Sequence, residues 1–149
     1  MANPPLLTTL APFHPRFVHF PIALCLVGAF FIAAGLIRGR ERWVGYGQIS
    51  LLLGWLGVMA AVVTGLIDQS GAPDDAAIRA IINQHITAGI ALVMAVGLAL
   101  YWPLRNKRLF SAGNTRWGFV ALLVIIVALV ALEGWLGGKL VFQYGVGVK

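Results

Sequence analysis

Four stretches of the 149-residue chain, 17–37, 44–67, 86–104 and 117–136, are almost wholly apolar, and polar residues collect in the segments between them. Each run is about 20 residues, which at about 1.5 Å per residue matches a hydrocarbon layer of roughly 30 Å. None shows the alternation of a barrel strand, and in lipid the backbone must satisfy its own hydrogen bonds, so the pattern predicts helices. The fold class it predicts is an all-α, integral membrane four-helix up-down bundle forming one domain, residues 1–149, with a glycine-rich C-terminal tail at 137–149. "DQSGAPDDAAIRA", residues 68–80, is the one connection with clear loop chemistry, so the third helix is expected to open at His85.

Composition agrees: 60% of residues are hydrophobic, 11% are charged and mean hydropathy is +0.88, beyond what a water-soluble core of this size uses. The first run lacks a basic region before Arg16 and is long enough to span, so a retained helix is expected instead of a cleaved signal. A net charge of +6 would suggest nucleic acid in a soluble protein. Here Arg38, Arg40, Arg42, Arg105, Lys107, Arg108 and Arg116 fall in two connections that hold only Glu41 as an acid. On the other side Arg16, Arg79, Lys139 and Lys149 balance Asp68, Asp74, Asp75 and Glu133. This asymmetry places both termini on the non-cytoplasmic side of a bacterial inner (cytoplasmic) membrane, with the lipid bilayer and no nucleic acid as partner. Trp43, Trp102 and Trp117 beside the basic connections, and Trp135 at the other boundary, fit interfacial belts. Trp55 and Cys25, inside spans, read as packing residues.

All three histidines map to the non-cytoplasmic end: His14 and His19 in "FHPRFVHFPIAL", and His85. His19 precedes Arg38 by 19 residues and His85 precedes Arg105 by 20, so counting from those arginines puts His19 and His85 at one height, on the diagonal helices of the bundle, with His14 nearer water. Pro15 suits a first helical turn, which would leave Pro21 inside the helix. Alternatively the helix starts at Pro21 with His19 leading into it. Neutral imidazoles on two helices can hold a b-type haem without a covalent motif, with His14 as a further candidate ligand. Arg16 and Arg79 are candidates for haem propionates, and Asp68 and Thr64 for orienting a histidine's second nitrogen. Glu133, an acid inside the fourth span, is expected to pair with Lys139 or Arg16, or to take part in proton movement.

"HPRFVHFPIAL", "TGLID", a helix carrying His85 and "LGGKLVFQYGVGV" together resemble a bacterial membrane family named domain of unknown function 2231. The resemblance covers nearly the whole chain. It implies a four-helix membrane protein, in some members joined to a Rieske-type iron–sulfur domain, and hence electron transfer. Similar proteins carry histidine where this chain has Tyr144, so the resemblance carries over His14, His19 and His85 and makes Tyr144 the fourth candidate.

The expectation is one haem b, with space for a second, in an electron-transfer subunit of a respiratory or photosynthetic complex. Its partners would be membrane or periplasmic redox subunits such as a Rieske-type or cytochrome protein. The alternatives are a copper- or zinc-binding membrane protein using His14, His19, His85 and Asp68, and a cofactor-free scaffold subunit. No nucleophile–base pair, phosphate loop or zinc-protease helix is present in the sequence, so an accessory subunit is favoured over an independent enzyme.

Overall fold

The computed structural model describes residue 14 and residues 17–69, 72–106, 108–110 and 115–146. They form α1 (His19–Arg38), α2 (Glu41–Asp68), α3 (Ala76–Arg105) and α4 (Thr115–Phe142). All four are long and apolar enough to cross a membrane. Each packs on its neighbour in sequence and α4 closes against α1, leaving α1 and α3 across one diagonal. Facing pairs run in opposite order along neighbouring helices: Gly28 with Leu51 and Gly57 with Pro21, Val62 with Gly89 and Trp55 with Gly97, Gly89 with Glu133 and Trp102 with Gly118. The bundle is therefore up-down, as expected.

The outward faces are apolar. Phe30 is 65% exposed, Met94 70% and Val124 63%, an arrangement that water would penalise and lipid tails accommodate. The interior holds a main core including Ile32, Leu51, Val96, Phe119 and Ile126, and a smaller one of Ile78, Ile81, Ala88, Leu136 and Leu140. Along α4, Glu133 falls between Val130 of the first and Leu136 of the second.

Three boundaries differ from the hydropathy reading. α3 begins at Ala76, so His85 lies in its interior and does not open it. The start is set by Asp75, whose side chain accepts from the amides of Ala77 and Ile78 at 2.8 and 3.2 Å and so satisfies two of the free donors at the helix start. α4 continues through the glycines at 137 and 138 to Phe142, so half of the expected tail is helix. It stops at a left-handed Gly145 (φ 65°), whose N–H bonds the Val141 carbonyl at 3.1 Å as in an αL-type end, while Val146 N–H bonds back to the Leu140 carbonyl at 2.9 Å. In α1 the helix starts at His19, with Pro21 in its first turn, where a missing N–H costs nothing. One further turn, from the His14 carbonyl to the Val18 amide at 3.3 Å, precedes it.

Candidate functional site

At the end of the bundle holding the α2–α3 connection, the helices part around a cavity of about 410 Å³, within the range of small-ligand sites. Its walls are mainly apolar, including Val18, Ile22, Val58 and Leu92, and His14, His19, Asp68, His85 and Glu133 are its ionisable lining residues. Glycines shape it. A side chain at Gly65 would meet His14 Cε1 at 3.1 Å, one at Gly137 would meet His85 Cε1 at 3.5 Å, and one at Gly134 would meet nothing within 4 Å.

The two closest imidazoles are His14 and His85, with ring centroids 6.1 Å apart and planes at 83°. His19 lines the same cavity but is exposed. Pairing by height therefore falls to His14 and not to His19. Gly57 lies against Pro21 and Gly65 against His14, while Gly89 lies against Val62, so His85, one turn from Gly89, is level with His14. Counting back from Arg38 and Arg105 fails because those arginines are not level. Arg38 follows His14 by 24 residues and Arg105 follows His85 by 20, so with those two rings level Arg38 lies about four residues further out, and the extra length of α3 falls at the histidine end.

Each of these two rings has a polar neighbour at its Nδ1, hydrogen-bonded for His14 and only in close contact for His85. Thr64 Oγ1 lies 3.0 Å from His14 Nδ1 and donates its own proton to the Ala61 carbonyl at 3.0 Å, so it accepts from His14 Nδ1–H. This leaves His14 Nε2 with a free lone pair. Thr64 is thus hydrogen-bonded to a cavity histidine; Asp68 lines the cavity without a hydrogen bond to either ring among those the described residues show. His14 precedes the first span, and its pKa is lowered, chiefly by burial, which favours the neutral imidazole.

His85 Nδ1 lies 2.9 Å from Glu133 Oε2, with the two side chains 19% and 13% exposed. The expected partner of Glu133 is corrected here: Lys139 instead lies over the Trp135 ring, 5.4 Å from its centroid. Arg16 lies outside the described residues. Arg79 bonds Asp74 through Nε at 2.7 Å on the exposed surface and is absent from the cavity lining. Tyr144 is half-buried against the smaller core and is likewise not a lining residue, whereas Val146 is. Trp55 donates to the Val93 carbonyl at 2.9 Å, and Cys25 is fully buried against Gly54; both are packing residues. Among the described residues no three His, Cys, Asp or Glu side chains are grouped to hold a metal ion.

Architecture and lining together define a multi-pass helical membrane protein with a mainly apolar, histidine-bearing cavity at one end of the bundle. The chain belongs to the family described as predicted membrane proteins, domain of unknown function 2231, whose pattern it matches over residues 10–149. No curated protein and no solved structure matches it.

Proposed function

We propose that this protein is a haem b-binding electron-transfer subunit of a bacterial inner-membrane complex, in which His14 and His85 would hold the haem iron. The observation that carries this reading is the pair of rings itself. Their centroids lie 6.1 Å apart on one cavity, close enough that both imidazoles could reach a single metal ion. Thr64 hydrogen-bonds His14 Nδ1 and Glu133 lies 2.9 Å from His85 Nδ1, the positions from which ligating histidines are oriented from behind. The apolar walls and the glycines at 65, 134 and 137 leave a space that suits a flat apolar ring.

Bound haem would supply one-electron chemistry, the iron alternating between ferric and ferrous. The chain's own part is to present two neutral imidazoles, to exclude water with Val58, Ile22 and Leu92, and to hold the site near one face where a Rieske-type or cytochrome partner can approach. That face is the non-cytoplasmic one if the basic connections lie inside. His19, exposed at the cavity rim, is free to serve a second ligand or the partner surface. The copper or zinc reading lacks a three-donor group among the described residues.

The test is the pyridine haemochrome and iron content of the detergent-purified protein. One haem b per chain is expected. A chain that folds and assembles in a haem-producing host without iron or porphyrin would be a scaffold, and the proposal would fall.

A further inference from the structure

We infer that Glu133 is a positioning residue of this site: its carboxylate holds His85 in the Nδ1–H tautomer, keeps Nε2 as the ligand face, and sets a negative charge behind the ring. Three observations converge on it. The Nδ1 to Oε2 separation, 2.9 Å, already has hydrogen-bond length. His85 Nδ1 and Glu133 Oε1 are both buried with no hydrogen-bond partner among the described residues, so each side chain carries an unmet hydrogen-bonding demand next to the other. Finally, Gly89, one turn after His85 on the same face of α3, is the residue over which the carboxylate lies. A side chain there would sit 3.8 Å from Oε1, against the acid.

An acid inside a membrane span is costly, and Glu133 has no cation beside it among the described residues: Lys139 is with Trp135 and Arg79 with Asp74. Its neighbour is an imidazole N–H. A carboxylate bonded to the back of a ligating histidine raises the basicity of that ligand and favours the oxidised metal. The redox part of this inference rests on the haem reading; the tautomer part does not.

Two measurements on the full-length protein test it. In histidine-¹⁵N-labelled, cofactor-free protein in bilayers, solid-state NMR should show His85 protonated at Nδ1 and bare at Nε2. Glu133→Gln, whose amide oxygen still accepts, should keep that state, and Glu133→Ala should mix the two tautomers. In haem-loaded protein, Glu133→Gln should raise the midpoint potential by on the order of 60 mV, a tenfold change in the oxidised-to-reduced ratio, with haem content retained. A wild-type chain without haem would defeat the haem reading alone, because the tautomer measurement still decides the role of Glu133. A His85 tautomer indifferent to Glu133→Ala, or a potential unmoved by either substitution, would overturn the inference.

Discussion

The two ends of this bundle use glycine for opposite purposes. Where α1 meets α2 toward the basic end, a side chain at Gly47 would lie 2.6 Å from the Gly28 carbonyl oxygen, and one at Gly35 would lie 2.9 Å from the Val44 backbone nitrogen. There glycine lets two backbones touch, the close approach that drives helix association in lipid. At the histidine end, Gly65, Gly89, Gly134 and Gly137 face the cavity, two imidazoles and a carboxylate. The difference separates stability from function: one end is filled to contact, and the other is kept open.

That contrast is most readily broken at Gly47. Gly47→Ala puts a methyl 2.5 Å from Ile32 Cγ1 and close to backbone, and should cost about 3 kcal/mol as an overpacked interface, read by unfolding in detergent or bicelles. Gly134→Ala, whose methyl meets nothing within 4 Å, should leave stability unchanged or raise it by up to about 1 kcal/mol through helix propensity. A similar loss at both positions would erase the distinction.

Gly65→Val sharpens it from the other side. Its Cβ falls 3.1 Å from His14 Cε1, so the ring must shift, and haem occupancy should drop several-fold while the melting temperature moves little. Asp75→Ala removes the acceptor for two amides at the start of α3 and should cost about 1 kcal/mol. Its effect should appear as local fraying by amide exchange at 76–80, not as loss of haem. The smallest effect belongs to Arg79→Ala. An exposed pair with Asp74 contributes about 0–1 kcal/mol, and because Arg79 does not line the cavity, occupancy should be unchanged.

The spans were legible because lipid imposes a continuous apolar run on any helix that crosses it. Their ends were not. Residues 76–85 extend α3 beyond the apolar run and carry loop-like polarity, and the glycines at 137 and 138 resemble breakers although glycine is well tolerated in membrane helices. At the site, the gathering of three imidazoles at one end followed from topology. The choice of His14 over His19 did not, because it depends on how far each helix projects past the bilayer at either end. The partner of Glu133 depends on the rotation of α4 about its axis, which an almost uniformly apolar helix conceals. One signal was present: a small residue, Gly89, one turn after His85, leaves room for a side chain from the facing helix.

The central claim is that His14 and His85 meet around a shared ligand, and the dithionite-reduced minus oxidised spectrum of purified single-histidine variants tests it most directly. Wild type and His19→Ala should show the Soret and α bands of a b-type haem, and His14→Ala and His85→Ala should each lose them while remaining folded by circular dichroism. Bands that survive both of those substitutions, or that vanish only with His19→Ala, would contradict it.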